Sequence, residues 1–166
     1  PLILHKRIVI VAPPLAEHEN GFSLWITKIA KLAQELSISI VLYSNEATGK
    51  ATEKLFKKSK LTGTITVELF TDWEDFFVLS RHIHENDLIV LASARRGATS
   101  YMGILENLPS KLEKHFGNNS RFVIYPQQYD NNIGGDRYND ISSEPLNKGI
   151  EAVQKIGKGI GSIFKK

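Results

Sequence analysis

Asp87-Leu-Ile-Val-Leu-Ala92 is an apolar run with no polar position inside it, and Arg121-Phe-Val-Ile-Tyr125 is a second. A strand that alternates apolar and polar residues keeps one face wet. A continuous run is buried on both faces, as the strands of a helix-covered parallel sheet are. Between the two runs lie Ser93-Ala-Arg-Arg-Gly-Ala-Thr-Ser100 and a short amphipathic segment, so the stretch has the layout of a βαβ unit. Open parallel sheets bind small anions outside the carboxyl ends of their strands. Arg95, Arg96, Gly97 and Ser100 are therefore a candidate site.

The rest of the chain repeats the alternation. Arg7-Ile-Val-Ile-Val-Ala12, closed by Pro13-Pro14, reads as a first strand. From Asn20 as N-cap, Phe22, Trp25, Ile26, Ile29, Ala33 and Leu36 fall at helical spacing. Ser37–Tyr43 is a second strand, and Glu46–Lys60 a polar helix with Ala47, Ala51 and Leu55 on its apolar side and lysines near its end. Thr64–Phe70 alternates as a strand. Asp72-Trp73 opens a third helix, with Trp73, Phe76, Phe77 and Ile83 on one face. A fourth helix starts near Asn107, with Pro109 in its first turn, aligns Leu108, Leu112 and Phe116, and ends at Gly117. The order βαβαβαβαβ predicts a three-layer α/β fold, an open parallel five-stranded sheet with helices on both faces.

Charge separates the chain into parts. Of the formal net charge of +3, residues 1–147 carry 16 Lys and Arg against 17 Asp and Glu, whereas residues 148–166 carry 5 against 1. A near-neutral globular part lacks the broad basic face that a phosphate backbone requires, so no nucleic-acid partner is expected. The absence of Cys excludes thiol chemistry and fits a reducing compartment. No run approaches the roughly 18 apolar residues that span a bilayer. Three parts follow: an α/β domain over 1–129, an Asp-, Asn-, Gly- and Ser-rich linker over 130–144, and a basic amphipathic segment over 145–166. In the last, Ile150, Val153, Ile156, Ile160, Ile163 and Phe164 recur every three or four residues, while Lys148, Lys155, Lys158, Lys165 and Lys166 lie largely elsewhere. Such a segment can lie on an anionic membrane, dock on the domain or pair with a partner chain, with Ile150, Val153, Lys155, Ile160, Ile163 and Phe164 as contacts. The start at Pro1, without Met, is what a piece of a longer protein would show, as would processing.

At the candidate site, two guanidiniums, the amides near Gly97 and the hydroxyls of Ser93, Thr99 and Ser100 suit a phosphate or carboxylate. The competing reading leaves both arginines solvated or ion-paired and gives Gly97 only a turn. No complete phosphate-binding glycine fingerprint is present. His82 and His84, two apart on a helix, face different directions and make a poor metal pair. Asp72, Glu74 and Asp75 complement a helix N-terminus. Neither a Ser/His/Asp spacing nor a nucleophile elbow occurs, so no catalytic activity is expected.

Asp87–Tyr101, Leu108–Phe116 and Phe122–Gln127 together resemble the universal stress protein-like cytosolic domain at the C-terminus of bacterial sodium/proton (monovalent cation/proton) antiporters. The ordering of elements extends the likeness over about residues 5–129. The resemblance implies a universal stress protein, adenine nucleotide alpha hydrolase-like fold, usually dimeric. An adenine nucleotide can sit there at the ends of the first and fourth strands, here Ala12, Pro13, Ser93, Arg95, Arg96, Gly97, Thr99 and Ser100. The family's glycine pattern falls on Ala94, Gly97, Asn107 and Leu108, of which only Gly97 keeps a glycine. Its aspartate after the first strand is replaced by Ala12-Pro13-Pro14.

What the resemblance implies is a non-catalytic regulatory domain on the cytoplasmic face of the inner membrane. It would contact the transmembrane domain of its own antiporter, form a homodimer, and sense an adenine nucleotide or a cyclic dinucleotide. The alternatives are a free-standing cytosolic universal stress protein that binds ATP, and a dimerisation or interaction module without a ligand.

Overall fold

A computed structural model describes residues 5–127. The segments assigned above to 130–144 and 145–166, with the contacts at Ile150, Val153, Lys155, Ile160, Ile163 and Phe164, lie outside the described residues. Five strands, β1 (Arg7–Val11), β2 (Ser39–Ser44), β3 (Ile65–Leu69), β4 (Asp87–Ala92) and β5 (Arg121–Ile124), form one sheet in the order β3-β2-β1-β4-β5. Every pairing is parallel. All six residues of β4 are buried, as its unbroken apolar run requires.

The α/β expectation holds. On one face α1 (Phe22–Leu36) and α2 (Glu46–Lys58) cover Ile8, Ile10, Ile40, Leu42, Leu88 and Val90, with Trp25, Ile26 and Ile29 at the centre of the packing. On the other, Val9, Val11, Ile89 and Leu91 meet Trp73, Phe76 and Leu79, together with Leu108 and Leu112 of α3 (Leu108–His115).

Several local expectations are corrected. The third helix is a 3₁₀ segment over Trp73–Arg81, broken in dihedral angles at Asp75 (φ −119°, ψ 63°). Its residues recur at three per turn, so Trp73, Phe76 and Leu79 share the inner side and Phe77, expected inside, is 54% exposed. His82 closes this segment and His84 lies beyond it, so the two histidines do not share a helix. Asp72 does cap it, accepting from the Asp75 amide at 3.3 Å. The cap of α1 is Gly21 rather than Asn20, with no side-chain bond, and its amide instead donates to the Gln127 carbonyl at 2.9 Å. A Cβ there would stand 2.6 Å from the Gln127 nitrogen, so only glycine lets the helix start against this strand extension.

In α2 the fully buried residues are Thr48, Gly49, Thr52 and Phe56; of the expected Ala47, Ala51 and Leu55, the last two are half-buried against the core and Ala47 is exposed. Ser37, expected in β2, takes a left-handed conformation (φ 55°) that ends α1, and the strand begins two residues later. Further 3₁₀ turns at Ala16–His18 and Gly103–Glu106 interrupt what the sequence left as loops.

Candidate functional site at the strand ends

The chain winds from β1 through β2 to β3 on one side, then returns to β4 beside β1 and proceeds to β5 on the other. Beyond the sheet the two central strands part. The amide of Ala12 donates to the Tyr43 carbonyl at 3.0 Å, whereas the amide of Ser93 donates to the Ile124 carbonyl at 2.8 Å. This is the switch point at which doubly wound sheets hold ligands. It places Ala12 and Pro13, named above through the resemblance, beside Ser93 and the loop that follows.

The protein's own groups engage much of that loop. Arg96 turns outward to Glu106, with Nε 2.5 Å from Oε1 and Nη2 3.2 Å from Oε2, and the Tyr101 hydroxyl donates to the same Oε1 at 2.7 Å. These bonds raise the pKa of Arg96 further above the ordinary range and hold the Glu106 carboxyl down to about 2, the Arg96 hydrogen bonds being the main cause. Arg95 is half-buried, its guanidinium carbon 5.4 Å from the centre of the Tyr125 ring, and has no carboxylate partner among the described residues. Gly97 has φ 91°, a conformation that side chains disfavour, and no atom lies within 4 Å of where a Cβ would stand. It serves the turn. Thr99 is exposed and Ser93 buried.

Sequence reasoning missed Glu17 and Glu19. The short Ala16–His18 turn between β1 and α1 carries both over the strand ends. Glu19, 7% exposed, accepts the Ser100 amide at 2.7 Å and so bridges the crevice from the β1 side to the β4 side. Glu17 accepts the Thr48 hydroxyl at 3.1 Å, in the first turn of α2, where the aligned peptide dipoles favour negative charge. Two positions suited to an anion thus already hold carboxylates. The only earlier signal was three charged or titratable residues in a row, Glu17-His18-Glu19, beside an apolar strand.

Among the described residues no group of three or more His, Cys, Asp or Glu could hold a metal ion, and no helix is long and apolar enough to cross a membrane. No family model matches the chain, and no curated protein matches it in sequence.

Proposed function

We propose that the chain is a non-catalytic regulatory domain of a membrane sodium/proton (cation/proton) antiporter, on the cytoplasmic side, in which the strand-end crevice senses an anion. The family assignment rests on the likeness of Asp87–Tyr101, Leu108–Phe116 and Phe122–Gln127 to such domains. The observation that carries the sensing role is Glu19, a buried carboxylate held by a neutral amide at the switch point of the sheet. A carboxylate in that position stands where a ligand phosphate or carboxylate would otherwise accept the same N–H. Binding is then an exchange of one anion for another, with Arg95, which has no carboxylate partner among the described residues, supplying charge from the same loop. The exchange we propose carries no chemical step.

Calorimetric titration with ATP, AMP and cyclic di-AMP tests the sensing role. Glu19→Gln, which removes the competing charge and keeps an acceptor for Ser100, should bind at least one of them more tightly than wild type, and Arg95→Ala should reverse the gain. No heat from either protein would overturn it. The antiporter assignment is tested separately: the reading frame upstream of Pro1 should code for membrane-spanning segments, and a frame without any would overturn it.

A further inference from the structure

A cleft of about 630 Å³ opens on the Trp73–Arg81 side of the sheet, between β2, β3 and the turn that follows the 3₁₀ segment. None of its lining residues belongs to the strand-end crevice. Its charged lining is chiefly basic: Arg7, Arg81, His82 and His84 stand against Glu68, the one carboxylate that lines it among the described residues. Its apolar lining comes from Val41 in β2 and from Leu69, Phe70, Val78 and Leu79. A concave space of this size, apolar over part of its wall with a few polar groups converging on it, is what a small-molecule site requires.

Tyr43 is the most telling of those polar groups. It lines the cleft and is 7% exposed, yet its hydroxyl takes part in no side-chain hydrogen bond among the described residues. A buried phenol ordinarily finds a partner. Burial raises the Tyr43 pKa, so the hydroxyl is a neutral donor, and the charges of Arg7 and Glu68 act on it with opposite signs. The basic turn beside it is held by its main chain. Arg7 Nη2 donates to the His82 carbonyl at 2.8 Å, the His84 amide to Asp87 Oδ2 at 2.8 Å, and Asn119 Nδ2 to the His84 carbonyl at 2.7 Å. Arg7 is neutralised by Asp87, whereas Arg81 has no carboxylate partner among the described residues. A fixed backbone that carries uncommitted side chains is the arrangement of a preorganised site.

We propose that this cleft binds a small organic anion, a carboxylate or phosphate carried on an apolar body. The headgroup accepts from the Tyr43 hydroxyl and draws its charge complement from Arg81 and the imidazoles of His82 and His84. The body lies against Phe70, Val78 and Leu79. A cation fits less well, because the exposed Glu68 would be its one anionic partner in the lining.

Mapping of amide chemical shifts by two-dimensional NMR on the full chain tests this, with phenyl phosphate and benzoate as probes. At least one should give saturable shifts at Tyr43, Thr66, Arg81 and His82, with a dissociation constant of about 1 mM or tighter, and the tighter of the two identifies the headgroup. Tyr43→Phe keeps the ring in the sheet and should weaken binding about fivefold, and Arg81→Gln, at an exposed position, about tenfold. Glu68→Gln should tighten it roughly threefold. Urea midpoints of the variants, expected near that of wild type, separate a lost contact from a lost fold. Absence of saturable shifts at the cleft, or an affinity unchanged in both Tyr43→Phe and Arg81→Gln, would overturn the proposal. So would benzyl alcohol binding as tightly as the anions, since charge would then play no part. Shifts confined to Ser93–Ser100 assign the anion to the strand-end crevice, in which case the sensing role stands and this second site falls.

Discussion

At the amino end of the sheet Arg7 and Asp87 lie opposite each other in the β1–β4 ladder, and at the carboxyl end the same two strands part around Glu19. Asp87, 1% exposed, receives Arg7 Nε at 2.9 Å and Nη2 at 2.6 Å, and the His84 amide at 2.8 Å. Arg7 also donates to the His82 carbonyl, and its pKa is raised chiefly by the hydrogen bond to Asp87. Buried Asn119 closes the same end, donating to the carbonyls of His84 and Asp87 at 2.7 and 3.0 Å. Glu19 and Glu17, by contrast, are held by an amide and a hydroxyl. A carboxylate paired with a guanidinium in a buried network has no cheap substitute. One held by neutral donors can give way to another anion. The first end fixes the fold, and the second is where the proposed exchange would occur.

The largest effect should come from breaking the fixed end. Asp87→Ala leaves Arg7 without its partner and the His84 amide without an acceptor. It should lower stability by about 3 kcal/mol, the lower end for a broken buried pair because Arg7 keeps a quarter of its side chain in solvent. The shift is measured by urea unfolding. A loss below about 1 kcal/mol, the range of a surface pair, would mean that the amino end is no more rigid than the other. Asn119→Ala comes next, at roughly 2 kcal/mol, since it strips donors from carbonyls in the turn that leads into β4.

These two ends differ in how far the sequence discloses them. Strands show as apolar runs because burial on both faces leaves no room for polar residues, and α1 shows because its stripe has one period. The pairing of Arg7 with Asp87 is not legible, since it depends on β1 and β4 being neighbours in register, eighty residues apart. The third helix misled because Trp73 and Phe76 satisfy a period of 3.0 as well as 3.6, and only the burial of Leu79 in place of Phe77 separates the two. At the site, Ser93, Arg95, Arg96, Gly97, Thr99 and Ser100 were legible from the strand end that carries them, and Ala12 and Pro13 only through the family resemblance. Glu19 was not, because it acts from an aperiodic turn on a backbone amide that carries no sequence signature.

Glu19 itself should separate charge from hydrogen bonding. Glu19→Gln retains an acceptor for the Ser100 amide, and should change stability by less than about 1 kcal/mol. Glu19→Ala leaves that buried amide unpaired, and should cost roughly 1–2 kcal/mol. Equal losses in both variants would mean that the negative charge itself is stabilised at the crevice, and that another anion would have to match it.

The smallest effect lies at Arg96, and it decides whether the loop is closed to ligands. With Arg96 and the Tyr101 hydroxyl bound to it, Glu106 should titrate near 2 rather than at the ordinary 4.5. A carboxyl depressed on folding contributes stability above its unfolded pKa and loses it as pH falls towards the folded one, so this contribution should fade between about pH 4.5 and 2. The pair is exposed, so its trace belongs in the side-chain carboxyl resonance, with the urea midpoint hardly moved. Arg96→Gln should return that resonance to the ordinary titration range. If wild-type Glu106 already titrates there, Arg96 is not committed in solution. The strand-end loop would then offer an incoming anion two guanidiniums rather than one, widening the contrast with the amino end, where Arg7 stays bound.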